Sequence, residues 1–301
     1  MKKLNYFFMC GLMLSASLSF MGCSSDDEED GAPQTDNYYI TTNDGERLLL
    51  TRVGNYSFEY DSNGLLSACN LYGVRCNVSF AQNKITDNDG YTANFKLNGK
   101  GYISSLTYKN DGEYAVDICS SNFSYDGNGR LVSVSGNYSE DGDKGNFNSK
   151  FTYDNGRLTK VITTVSGVDE GERYSETETA VLKYDNGAVS NVLGQYSMSL
   201  AEMYYDSDEF SDALFLLGYL GKPSSYFPSG VDWTFADSEG GNNTSTDRFS
   251  YSFNSDGTLA REDGMSYSYS NMPTVGDDKT RSAQTPSPRK HYKRHGFRLI
   301  K

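Results

Sequence analysis

Few residues in this chain have the types and spacing that chemistry requires. The clearest is Cys23, which closes the run Phe20-Met21-Gly22-Cys23 after a basic start, Lys2-Lys3, and an apolar stretch from Leu4 to Met21. A charged n-region followed by an apolar h-region ending in small residues is an export signal. Gly22-Cys23 at its end has the form of a lipobox, where the signal is cut and the new N-terminal cysteine is diacylated. Asp141, Asp143 and Gly145, in SEDGDKGN from Ser139 to Asn146, form a fragment of the DxDxG pattern of calcium loops. A calcium loop needs six or more oxygens and usually a later carboxylate at a fixed distance. No such glutamate follows, and an ordinary acidic hairpin turn accounts for the same residues.

Three cysteines remain once Cys10 leaves with the signal and Cys23 is acylated: Cys69, Cys76 and Cys119. An odd number in an exported chain allows at most one intramolecular disulfide. Cys69 and Cys76 either pair across a hairpin centred on Tyr72-Gly73 or stay, with Cys119, as buried free thiols. Cysteines at this spacing with no histidine nearby match no common zinc pattern. The only histidines, His291 and His295, stand close to the C-terminus. His-based nucleophile triads and His-ligated zinc are thereby excluded from the body. No phosphate-cradling glycine loop precedes a helix. A carboxylate pair for glycoside hydrolysis is always available among 40 acids, and so carries no information from sequence alone. A cleft with two facing carboxylates, one of raised pKa, is what would mark such an enzyme. The expectation is a protein without enzymatic activity or cofactor.

Charge is unevenly distributed. All 40 acids lie between Cys23 and Asp278, whereas of the 27 Lys and Arg two precede that stretch and eight follow it. A body this acidic repels phosphate backbones, so no nucleic-acid partner is expected. Ser24 to Asp30, SSDDEED, directly after Cys23, is a solvated tether by composition. It looks like the acidic sorting signal of Bacteroidota-type surface lipoproteins; a periplasm-facing lipoprotein with a charged linker is the alternative. Residues 272–301 are basic, lack strand alternation and read as a disordered tail.

The elements that must position anything functional are hairpins. FSYDGNGRL, Phe123 to Leu131, alternates aromatic and small polar residues with the period of a strand, then supplies Asp-Gly-Asn-Gly for a reversal. Close copies are YSFEYDSNGLL from Tyr56, FTYDNGRL from Phe151 and LKYDNGAV from Leu182; looser ones start at Phe95, Leu106 and Tyr251. In each, Asp accepts hydrogen bonds from turn amides and Gly takes the left-handed position. Gly129, Gly156 and Gly187 are 27 and 31 residues apart, the length of two long strands and two turns. The spacing predicts an all-β protein: a large antiparallel meander, strongly bent or barrel-like, over 45–271. Residues 1–22 are read as signal and 23–44 as tether and linker. One short helix is expected near 207–220, with Asp206 and Ser207 as caps, Phe210, Leu214, Leu217 and Leu220 as the apolar stripe, and Gly221 as terminator.

With its lipobox at Cys23, its repeated YDxxGxL turns and the segment LFLLGYLGKPSSYFPSG from Leu214 to Gly230, the chain resembles a family of exported lipoproteins classed as a domain of unknown function with a porin-like fold. The resemblance spans Asn55 to Ser270 and implies a bent antiparallel sheet or barrel, with no catalytic residue to carry over. In NFNSKFTYD, from Asn146, Phe147, Ser149, Phe151 and Tyr153 share one face and polar residues the other, which suits an inward-packed sheet better than a lipid-facing band. The reading is an outer-membrane, surface-exposed lipoprotein held by its lipid anchor, whose β-domain binds or scaffolds a glycan or another envelope protein.

Overall fold

The computed structural model describes residues 39–87, 91–110, 117–140, 143–169, 172–204, 209–238 and 240–272. All belong to one structural unit, Pro33–Lys301. The turn motifs fold as their chemistry requires. Asp61 Oδ1 accepts the amides of Asn63 and Leu65 at 2.8 and 2.9 Å, Asp126 Oδ1 those of Asn128 and Arg130 at 2.9 Å, and Asn98 Oδ1 those of Lys100 and Tyr102. The glycine three residues on, Gly64, Gly129 or Gly101, has φ between +78° and +82°, where a side chain is penalised.

These turns connect short strands at first: β1 (Ile40–Thr41), β2 (Arg47–Val53), β3 (Tyr56–Tyr60), β4 (Leu66–Leu71), β5 (Val74–Ser79) and β6 (Lys84–Asp87). Longer ones follow: β7 (Tyr91–Leu97), β8 (Ile103–Asn110), β9 (Asp117–Tyr125), β10 (Leu131–Glu140), β11 (Asp143–Asp154), β12 (Arg157–Asp169) and β13 (Glu172–Lys183). From β2 to β13 each strand pairs antiparallel with the next, the expected meander. β1 already pairs with β2, so the fold begins inside the stretch read as linker.

The chain then leaves the ladder. LKYDNGAV does not form a hairpin: after its turn, β14 (Val189–Ser190) pairs with β15 (Tyr226–Phe227), and β13 takes β16 (Gly230–Asp237) as its neighbour. Between them run two helices where one was expected, α1 (Met198–Tyr204) and α2 (Glu209–Leu216). Asp206 and Ser207 lie outside the described residues. α2 ends at Gly218 (φ +80°), not Gly221: Gly218 N donates to Phe215 O and Tyr219 N to Leu214 O, both at 2.9 Å, the paired bonds of a Schellman cap. Gly221 terminates nothing; its positive φ lets the main chain cross against a turn.

The last strands close the sheet. They are β17 (Asn242–Arg248), β18 (Tyr251–Phe253), β19 (Leu259–Glu262) and β20 (Met265–Asn271). β17 pairs with β16, and Phe249 N extends that ladder to Ser229 O. Two residues later Tyr251 is paired with Glu262 of β19, β19 with β20, and β20 with β2. Arg248 and Tyr251 Cα atoms lie within about 11 Å, three virtual bonds. One path of chain, running from β17 into β18, thus joins both ends of the ladder and closes it into a ring. This is a barrel, formed by a sheet of 18 strands.

Its interior holds the excursion between β13 and β16. Leu200, Ala201, Phe215, Tyr219 and Leu220 are at most 1% exposed and belong to one buried apolar cluster with inward residues such as Leu131, Val134, Leu158 and Val161. Glu262, wholly buried, anchors the helices: its carboxylate accepts Met198 N at 2.7 Å and Ser199 N at 3.1 Å at the start of α1, and Tyr267 Oη at 2.5 Å. Along β11 the expected alternation holds, with Phe147, Ser149 and Phe151 buried and Asn146, Asn148, Lys150 and Thr152 exposed. Among the described residues no helix is long and apolar enough to cross a membrane.

Candidate functional site

The residues singled out from the sequence do not converge. Cys23 and Asp141 lie outside the described residues, and Asp143 opens β11 opposite Glu140. Among the described residues no cluster of three metal-ligating side chains occurs. The hairpin at Tyr72-Gly73 sets Cys69 directly opposite Cys76, but the two are not joined: both, and Cys119, are free buried thiols. Cys76 Sγ turns to the Val74 carbonyl at 3.9 Å, and both thiols serve as small apolar groups in the core.

What the fold brings together is a strip of inner wall. Cross-strand partners share a face of the sheet, and so do residues two apart on one strand. Val161 and Ala180, both buried, face each other across β12 and β13, and Trp233 of β16 stands opposite Ala180. The same face therefore carries Glu178, Glu176 and Tyr174 on β13, and Phe235 and Asp237 on β16. One row, followed across the ladder, runs Phe123, Val134, Ser149, Thr163, Glu178, Phe235, Asn243. Along it burial falls from complete at the first three, to partial at the next three, to exposed at Asn243. The inner face is core at one side and open wall at the other.

On this wall aromatic rings lie flat. Tyr138, Phe147 and Tyr174 each stand opposite a glycine, Gly145, Gly136 and Gly167. A β-carbon at Gly167 would sit 2.8 Å from the Tyr174 hydroxyl, so only glycine leaves room for the ring against the sheet. Trp233 and Phe235 stack at 6.2 Å with planes 19° apart, and Trp233 Nε1 donates to Asp247 Oδ2 at 2.8 Å. Both rings are half-buried, so each has surface to offer a ligand.

One of the acids beside them, Glu176, is held in an unfavourable setting for its charge. Glu176 faces Asp237 directly in register, an unfavourable pairing of like charges. Burial, and then the Asp237 charge, hold the Glu176 carboxyl above its ordinary range. Burial, and then Glu176, raise the Tyr174 phenol. The result is a half-open surface of flat aromatic faces and hydrogen-bond acceptors. Sequence reading did not single out these residues, although Tyr174, Glu176 and Glu178 alternate at strand period. Glutamates at alternate positions read as the solvent side of a strand, which here is the inner side.

The chain belongs to the family described as domain of unknown function (DUF4595) with porin-like fold, whose model matches residues 72–261. Two solved structures are similar. A porin-like protein from Bacteroides uniformis is 17% identical, over 77% of this chain and 93% of that one, with a TM-score of 0.46. One from Bacteroides vulgatus is 17% identical, over 79% and 98%, with a TM-score of 0.49. No curated protein matches.

Proposed function

We propose that this protein is a surface-exposed outer-membrane lipoprotein, anchored through Cys23, whose barrel binds a glycan without transforming it. The observation that carries the binding reading is the stacked Trp233–Phe235 pair, half-exposed on a face that elsewhere is core. Sugar rings stack on aromatic faces, and the acceptors Glu176, Glu178 and Asp237 beside them suit hydroxyl donors. The anchoring reading is supported by the lipobox and acidic tether, and by the polar outward row of β11, which offers no apolar band to lipid hydrocarbon. Trp233 is the chain's single tryptophan, so its fluorescence reports the site directly. Titration with a panel of neutral host and bacterial oligosaccharides is expected to change that emission for at least one class; calorimetric titration of the same glycan, which does not depend on the indole, is expected to show binding kept in Trp233→Phe and lost in Trp233→Ala. A silent panel sinks the glycan reading. Palmitate labelling lost in Cys23→Ala, and protease shaving of intact cells, test the anchor and the face occupied.

A glycoside hydrolase is the second reading, because Glu176 with its raised carboxyl faces Asp237. Those are the two acids such a mechanism needs. It ranks second because Asp237 is exposed on an open wall, which does not exclude water from the pair. Release of reducing ends from any bound glycan, abolished by Glu176→Gln, would put it first.

A further inference from the structure

A groove lies away from the Trp233 wall, where the chain from Gly221 to Ser225 crosses the turns at Gly129 and Gly156. Gly221 N-terminal to Lys222 has φ +94°, and a β-carbon there would meet Gly129 O at 2.8 Å. Backbone therefore lies on backbone, and Lys222 N donates to Gly129 O at 2.8 Å and Ser225 N to Gly156 O at 2.9 Å. Between the crossing segment and the turns is a groove of about 520 Å³, whose cationic lining residues are Lys100, Arg130 and Lys222. No Asp or Glu lines it. That is unusual in a body with 40 acids.

The three cations are held in place by different means. Arg130 spends one edge of its guanidinium on Asp126, through Nε at 2.8 Å and Nη2 at 2.6 Å, and lays its face on the Tyr153 ring 4.9 Å away. The remaining nitrogen, Nη1, points towards Gly156 on the groove wall, 3.8 Å from where a β-carbon would stand. Asp126 offsets the charge of Arg130, so the net positive charge of the groove rests on Lys100 and Lys222, and Arg130 contributes its free donor edge. Lys100 Nζ donates to Gly127 O at 3.1 Å, which holds the ammonium at the groove. The Lys222 side chain is exposed, and no bond or ion pair among the described residues engages its ammonium. Its main chain is fixed by the glycine crossing, so the charge is positioned without being neutralised.

The geometry points to this groove as a binding site for a phosphate group, taken up by Lys222, Lys100 and the Nη1 edge of Arg130. Phosphate offers several acceptor oxygens to converging N–H donors, and charge-assisted bonds of this kind are the strong ones. The site is separate from the Trp233 wall and independent of the glycan reading. Two sources present the same chemistry, a soluble phosphorylated sugar and a phospholipid headgroup at the surface to which the chain would be tethered.

Both arms use the mature chain with its C-terminal segment intact. In the first, inorganic phosphate and glucose 6-phosphate are titrated against amide and lysine NMR signals. Shifts confined to the groove are expected, weakening with added salt and falling about tenfold or more in affinity in Lys222→Gln with Lys100→Gln. In the second, the same pair of proteins is co-sedimented with phosphatidylcholine vesicles with and without phosphatidylglycerol. Loss of vesicle binding in the double variant identifies the headgroup source; equal vesicle binding with lost phosphate binding identifies the soluble one. Both substitutions lie on exposed side chains, and unchanged unfolding midpoints confirm the fold; Lys222→Arg should keep binding in any case. Absence of phosphate and vesicle binding by the parent chain, or binding indifferent to the double substitution, overturns the proposal.

Discussion

The two ends of the inner face make the instructive contrast. Where α1, α2 and the chain that follows fill the barrel, inward positions are Leu131, Leu158, Val161 and Val231, each at most 3% exposed. Where the filling stops, β13 and β16 carry Tyr174, Glu176, Glu178 and Phe235 inward, partly wet. β13 passes from one regime to the other within eight residues, from Leu182 and Ala180, both buried, to Glu176 and Tyr174. The sheet itself continues across that length, since β13 is paired with β12 from Val181 to Glu172 and with β16 from Lys183 to Glu176. What changes is whether another part of the chain lies against it. The filled end is where stability resides and the open end is where a ligand has room.

The contrast breaks most readily at the filled end. Glu262→Ala leaves Met198 N, Ser199 N and Tyr267 Oη without their buried acceptor, and is expected to cost about 3 kcal/mol or more in urea unfolding. A loss under about 1 kcal/mol would mean the helices do not depend on this anchor. Next comes Gly221→Ala, which adds a left-handed penalty to a clash with Gly129 O and should cost about 2 kcal/mol. Gly45→Ala, also at positive φ but with nothing within 4 Å, should cost only about 1 kcal/mol. Equal losses at the two glycines would deny the close crossing.

At the open end the order of effects reverses. Trp233→Ala should lower unfolding stability by about 1 kcal/mol at most while abolishing glycan binding measured by calorimetry. A core-sized loss of about 3 kcal/mol would show that this wall is as packed as the other. The smallest effect concerns Glu176. Its carboxyl pKa is raised in the fold, so its favourable contribution is present in acid and lost as pH rises through the folded value. Glu176→Gln is therefore expected to stabilise the protein slightly at pH 7, by under about 1 kcal/mol for a partly exposed group, with no gain near pH 4. Urea midpoints at both pH values check the sign.

Much of the fold was legible because its signals are local. Asp61, Asn98 and Asp126 bond amides two and four residues on, so the composition of five residues is enough to write the turn. The same locality misled at LKYDNGAV, where the turn forms but the next segment is drawn inward instead of pairing. Buried Asn191 holds it there, its Nδ2 donating to Gln195 O at 2.7 Å and Ser224 O at 2.9 Å. It also misplaced the helix end, since Gly218 and Gly221 both adopt positive φ and only the Schellman bonds tell them apart. The motif tyrosines do more than alternate along a strand, since they stitch neighbouring hairpins: Tyr125 Oη donates to Ile103 O at 2.6 Å and Tyr184 Oη to Leu158 O at 2.7 Å.

The sequence by itself determined the hairpin turns, the strand period, the buried row of β11 and the acidity of the body, because each depends on residues within a few positions or on composition. Only the tertiary structure decided that the ladder joins its own ends through Phe249 and Ser250, that Leu200, Ala201 and the stretch from Ala213 to Leu220 fill part of the interior, and that Glu176 and Trp233 face inward at the part left open. An alternating strand has two faces, and its own residues do not say which one the rest of the chain will cover. That choice belongs to contacts made from more than 60 residues away, such as Met198 N on Glu262, and they exist only once the barrel has formed.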